Sequence, residues 1–285
     1  MNDGWVSWVD CVTRYQKDLI CVVEIVEAYL DESYRDVSGC PDRFLATGTL
    51  FYPRRAKRVA REWQRIFPAG YHGREFNAQC VGRMRRQQQV KNLVAGALIG
   101  KEAEYVSCVT CSAADALEAF GGGKNAQAKA YLTCAAISAF ALAYYLRSQG
   151  RKERIAYLFD QGRKGEAERT LNEVFERIHQ DEEMKEIYRY STQTMGSAKE
   201  VPLLQVADFV TWECGFDKVA RDTAGIRRES YGNLIRGLGR KAKYRKPEPT
   251  TLYYVDYDSK GLKDFAEWFA GLRENVPILQ PRVLL

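Results

Sequence analysis

Short runs rich in β-branched residues dominate the first part of the chain, and longer stretches with helical spacing alternate with strand-like runs after it. The segment 20–31, ICVVEIVEAYLD, is apolar and rich in Val and Ile, which fit a pleated surface, so it predicts a strand ending at Asp31. A polar stretch with Gly39 and Pro41 breaks the pattern, and FLATGTLFY over 44–52 predicts a second strand, the hairpin partner of the first. Pro53 suits the first turn of a basic helix, which Pro68 and Gly70 stop after Phe67.

The pattern then predicts a short strand over 71–76, a helix over 84–98 and a strand over 103–110. Gly121, Gly122 and Gly123 break the chain before a long helix over 125–146, and RIAYLFD over 154–160 predicts a strand closing on Asp160. A charged helix over 165–179, a strand over 187–192, a helix from Pro202 to Val219, a strand over 252–257 and a helix over 262–272 complete the order. Strands followed by alternating helix and strand favour an α/β fold with a mixed sheet flanked by helices and helical insertions. The expected organisation is an N-terminal extension (1–19), one domain (20–220) and a basic C-terminal extension (221–285) packed on that domain.

With 285 residues, 46% hydrophobic and 28% charged, the chain has the composition of an ordered globular protein long enough for a sizeable core. The net charge of +6 is modest, so placement matters more than size. Basic residues crowd into 54–65 and 236–246, and such clusters suit a polyanion because each neutralised phosphate releases counterions. Arg54, Arg55, Arg58, Arg240, Lys241 and Lys243 are the candidate nucleic-acid contacts; a solvated surface is the plain alternative. Eight scattered cysteines and an opening 1–10 without a basic start leading into an apolar stretch predict free thiols in a reducing cytoplasm. No apolar run reaches the roughly 18–20 residues of a membrane span, and 130–146 fits a buried helix, so no membrane partner is expected.

Asp31 and Asp160 share one setting, each closing an apolar strand where sites of open α/β sheets gather. Each singly also fits a turn or helix cap. Asp208 borders the apolar stripe of Leu203, Leu204, Ala207, Val210, Thr211 and Cys214, where a carboxylate is costly unless paired or metal-bound. Three carboxylates suit Mg²⁺ or Mn²⁺, and a two-ion centre of that kind cleaves phosphodiesters. With His72 and His179 the sole histidines, a zinc hydrolase or a histidine triad is disfavoured. Glu32 joins Asp31 if the chain bends there, because neighbours on a straight strand face opposite sides.

These same residues resemble the domain of unknown function 3800 family, which is considered ribonuclease H-like. The match is Ala28-Tyr29-Leu30-Asp31-Glu32-Ser33, then 44–51, then 155–160 closing on Asp160, then Leu204-Gln205-Val206-Ala207-Asp208, in that order. The resemblance implies a ribonuclease H-like sheet and a metal-dependent nuclease acting on RNA or DNA. It also implies that His72 or Glu75, in Tyr71-His72-Gly73-Arg74-Glu75-Phe76, sits at the site edge, and that Ser191 and Lys199 lead into the last motif. Tyr34 stands where the family usually has Gly, and 1–19 and the tail after Val219 lie outside the match.

Other signals carry less. Cys108-Val109-Thr110-Cys111 has metal-ligand spacing but no second pair, and its thiols would face opposite sides of a strand. Gly121-Gly122-Gly123-Lys124 lacks the rest of a phosphate loop, and Phe140, Tyr144 and Tyr145 fit a core. The competing readings are a non-catalytic nucleic-acid- or partner-binding protein on the same fold, and an unrelated enzyme acting on a phosphorylated small molecule.

Overall fold

Alternation along each strand sorts the sheet residues into two faces, and each face carries its own core. The computed structural model describes residues 25–35, 43–67, 83–122, 124–160, 166–224, 229–242 and 252–271. The strands are β1 (Ile25–Arg35), β2 (Arg43–Phe51), β3 (Tyr105–Ser112), β4 (Arg154–Asp160), β5 (Tyr190–Gly196) and β6 (Leu252–Tyr257). Among the described residues they form one six-stranded sheet in the order β5-β4-β1-β2-β3-β6. β2 runs antiparallel to β1 and β3, while β1, β4 and β5 are mutually parallel and β6 is parallel to β3. The fold is therefore a mixed α/β architecture with helices on the sheet.

The helices are α1 (Pro53–Ile66), α2 (Arg83–Glu102), α3 (Ala113–Phe120), α4 (Lys124–Ser148), α5 (Glu166–Gln180), α6 (Glu182–Ile187), α7 (Pro202–Ala224), α8 (Glu229–Ala242) and α9 (Ser259–Phe269). Val26, Ala28 and Leu30 of β1 pack with α4, α5 and α9 on one face. Tyr29 and Phe51 pack with α1, α2, α7 and α8 on the other. α4 lies close over β2, because a Cβ at Gly48 would meet Leu142 Cδ1 at 2.8 Å and Ser107 Oγ at 2.9 Å. The stretch Ala126–Ser148 is long and apolar enough to cross a membrane, but 89% of its most apolar window is buried inside the protein, the placement of a core helix. Phe140 and Tyr145 belong to that core, whereas Tyr144 is exposed, unlike the core position its sequence context predicts.

Local chemistry explains most boundaries. α1 starts on Pro53 and ends where Phe67 turns extended, the conformation a residue before proline favours. Its Ala56, Val59 and Trp63 form the buried stripe. α3, which the hydrophobic pattern did not reveal, is capped by Ser112, whose hydroxyl accepts the Asp115 N–H at 3.0 Å. α6, likewise unforeseen, is capped by Asp181. That cap displaces β5: Ile187 closes a helix instead of opening a strand, and pairing begins at Tyr190 after Arg189 takes a positive φ of 50°. β1 also differs, continuing past Asp31 to Arg35 because β2 pairs with it as far as Arg35↔Arg43. The stretch expected as a C-terminal extension supplies α8, the edge strand β6 and α9, whose Leu262, Phe265 and Trp268 enter the core. The predicted strand over 71–76 and the extension 1–19 lie outside the described residues.

An ion-pair network closes the sheet at the edge where α1 begins. Glu104 is nearly fully buried and accepts Arg55 at 3.1 Å, Arg151 at 3.3 Å and the Tyr145 hydroxyl at 3.1 Å. Arg58 pairs with the equally buried Glu102. Removing one partner of such a network leaves uncompensated charge, so Glu104→Ala is expected to destabilise the protein by about 3–5 kcal/mol in urea unfolding, with Glu104→Gln retaining part of the loss. An unchanged midpoint for Glu104→Ala would show that the network contributes nothing.

Candidate functional site

Asp31 lies on the face of β1 that carries Tyr29, since positions 27, 29 and 31 alternate to the same side. Asp160 lies on the same side of β4, two residues after Leu158, which packs into the same cluster. The β1–β4 register ends at Leu30↔Phe159, so Asp31 and Asp160 occupy the next positions of two neighbouring parallel strands. Adjacent strands run about 4.8 Å apart, so the two acids stand side by side in the backbone frame. Asp31 is buried and Asp160 half-buried.

α7, the helix that carries Asp208, seats on β2 at the position opposite Asp31. Thr47 is the register partner of Asp31, and its hydroxyl donates to the Ala207 carbonyl at 3.3 Å and lies 2.5 Å from the Thr211 hydroxyl. Thr211 in turn donates to the Ala207 carbonyl at 2.9 Å. Leu204 packs at Gly196, where an added Cβ would lie 3.1 Å from its Cδ1. Gln205 accepts the Trp63 indole N–H at 2.9 Å, tying α7 to α1. From Pro202 to Gly215 every residue of α7 is buried except Asp208, which is half-buried. The Leu204–Asp208 motif thus resolves into a sheet contact, a helix tie, a carbonyl docked on Thr47, and one half-buried carboxylate.

Asp160 has a further partner. Its Oδ1 accepts the Ala198 N–H at 2.9 Å and so holds the turn that leads from β5 into α7. Lys199 follows in that turn, exposed, with its N–H on the Ser197 hydroxyl at 3.2 Å. Glu32 holds the register position opposite Ala46, which belongs to the other face, because β1 continues straight there. His72, Glu75 and Lys243 lie outside the described residues, as do the side chains of Arg240 and Lys241 on α8. Arg54, Arg55 and Arg58 lie on the first two turns of α1, after the end of β2 that pairs with Glu27, four residues along β1 from Asp31. Among the described residues, no group of three or more His, Cys, Asp or Glu side chains is arranged to hold a metal ion. The pattern of the sequence missed Thr47 and Thr211; alternation could give the face of Thr47, but only the register pairs it with Asp31.

Among the described residues, the cysteines lie in the two cores. Cys108 and Cys111 fall in opposite cores, as strand alternation predicted. Cys111 Sγ lies 3.8 Å from Cys134 Sγ, and Cys108, Cys111, Cys134 and Cys214 are all buried free thiols. Burial and the bond to Cys214 push the Cys108 thiol well up, and the bond to Cys111 with burial does the same for Cys134.

No protein-family model matches the chain, and no curated protein matches it. Among solved structures it is similar to a chain of the PCNA:RNase HII complex from Archaeoglobus fulgidus, at 13% identity and a TM-score of 0.36, covering 79% of this chain and 92% of that one. A likeness of that size decides neither fold family nor activity.

Thr47→Val keeps the shape of the side chain and removes the hydroxyl that seats Ala207 and Thr211. It is expected to cost about 1–3 kcal/mol in chemical denaturation, with Thr47→Ser recovering most of it. For the Cys108 and Cys134 thiols, both folded and unfolded chains are protonated at low pH. As pH rises through the ordinary thiol range, about 8.5, the unfolded chain ionises first and stability falls. Cys108 and Cys134 should therefore resist alkylation in the native protein at pH 8 and react after unfolding, read by peptide mass; labelling of either in the folded state would contradict this.

Proposed function

We propose that the chain is a metal-dependent nuclease on a ribonuclease H-like fold, hydrolysing phosphodiester bonds at an edge built by Asp31, Asp160 and Asp208. The observation that supports this reading is the arrangement of three elements: Asp31 and Asp160 in consecutive register on one face, and α7 seated on Asp31's partner Thr47 with Asp208 half-buried along it. A sheet with a hairpin strand reversed between parallel neighbours, β4 and β5 following β1, suits that fold. The donor chemistry also fits: carboxylates are hard oxygen ligands that suit Mg²⁺ or Mn²⁺, with substrate phosphates completing the shell. When bound, such an ion supplies Lewis-acid polarisation of a phosphoryl oxygen.

In this reading the chain's own residues bind and orient. Asp160 is held to the Ala198 N–H and so fixes the turn that presents Lys199, a point charge for the scissile phosphate. Thr47 fixes α7, the helix that carries Asp208, against the strand position opposite Asp31. His72 and Glu75 remain candidates through the family resemblance alone. The partner is RNA or DNA.

A second reading has one observation in its favour. The Asp160 carboxylate serves a structural bond, which is what a non-catalytic nucleic-acid- or partner-binding protein on this fold would retain. The two readings separate in one experiment, cleavage of single-stranded, duplex and hybrid substrates with Mn²⁺ by wild type and Asp31→Asn. The nuclease reading expects turnover by wild type and a loss of at least a hundredfold in Asp31→Asn, about the cost of removing a key electrostatic group. Equal rates for the two proteins would remove Asp31 from the mechanism. Salt-sensitive binding without turnover by wild type would favour the second reading.

A further inference from the structure

The outer face of α1 is a predominantly basic surface, away from the carboxylates of the candidate site. Arg54, Lys57, Arg58, Arg61 and Arg65 recur at helical spacing opposite the buried Ala56, Val59 and Trp63, and all five are exposed. Lys101, exposed on α2, extends the patch, since its neighbour Glu102 pairs with Arg58. Glu102 and Glu62 pair into this patch without reversing its sign. Glu102 is nearly fully buried, and Glu62 is shared between Arg65 at 2.8 Å and Arg61 at 3.6 Å. Arg55 differs, being committed to buried Glu104. The stripe from Arg54 to Arg65 spans about 16 Å at the helical rise of about 1.5 Å per residue, room for several phosphates of a backbone.

Among the described residues the patch also lacks what a single strand would need. Non-specific single-strand sites stack bases on exposed aromatic rings. Among the described residues the exposed large apolar side chains are Val90, Val94, Leu117 and Tyr144. The one aromatic among them sits on α4, on the other face of the sheet. We infer that the outer face of α1, with Lys101, docks the phosphate backbone of a nucleic-acid duplex. The inference takes its partner class from the nucleic-acid reading above and is independent of whether the acids catalyse.

Fluorescence anisotropy of the full chain carrying Asp31→Asn, which spares the probe from cleavage, tests this with a labelled duplex of about 20 base pairs and with one of its strands alone, across roughly 50–200 mM salt. The expected result is tighter binding of the duplex. Replacing Arg54, Lys57 and Arg61 together by Gln, a good helix former, should weaken duplex binding at least tenfold with an unchanged circular dichroism spectrum. It should also flatten the salt dependence by up to about 0.9 log units per log unit for each phosphate of B-form DNA that is no longer neutralised. Absence of duplex binding, equal or tighter binding of the single strand, or unchanged affinity in the triple variant would overturn the inference. So would competition by polyglutamate equal to that by duplex at matched charge, which would make the patch a general polyanion surface. If Asp31→Asn proves to cleave like wild type, the catalytic reading falls while these binding results still decide the duplex assignment.

Discussion

The seat of α7 on the sheet sets everything near the candidate site. A helix buried almost all round must place its backbone polar groups and its few polar side chains without water, so a hydroxyl pair at Thr47 and Thr211 meets the Ala207 carbonyl in a fully buried interface. Those bonds join residues 160 and 164 apart in sequence, and they fix the rotation of the helix as well as its height. Rotation is what leaves Asp208 half-buried while Gln205 turns to Trp63. A turn of the helix by one residue would bury the carboxylate and expose apolar surface, an arrangement penalised twice.

Charge is divided between regions with different tasks. At the edge where α1 begins, buried Glu102 and Glu104 gather Arg55, Arg58 and Arg151 into a network that holds α1 against the sheet. Such a network is stabilising only while complete, which explains why acids that never reach solvent sit inside a basic segment. The remaining cations of α1 face outward, with Glu62 shared between two of them. One basic run in the sequence therefore carries two functions, separated by which side of the helix each residue occupies.

Much of this order was legible in the chain. RIAYLFD predicted β4 with its true limits, Pro53 and Pro68 bracketed α1, and the small-residue helix was recognised as core. The misjudged boundaries share one cause. β1 was expected to end at Asp31, where apolar residues cease, but its pairing with β2 carries it to Arg35. β5 was expected too early, because Ile187 and Tyr188 are apolar for packing beneath a short capped helix and not for a strand. Hydrophobicity marks burial, whereas strand limits are set by the hydrogen-bond partner, which lies elsewhere in the chain.

The sequence by itself determined the alternation that puts Asp31 with Tyr29 and separates Cys108 from Cys111, the proline that starts α1, and the stripe that divides α1 into inner and outer faces. These are local: a residue's face and a helix's start depend on neighbours within about four positions. Only the tertiary structure decided that Asp31 stands beside Thr47, that Asp160 holds the Ala198 amide, and that α7 crosses β1 and β2 with Asp208 half-buried. Register and helix seating come from long-range packing among many alternatives that local pattern leaves equal, so no spacing along the chain could state them in advance.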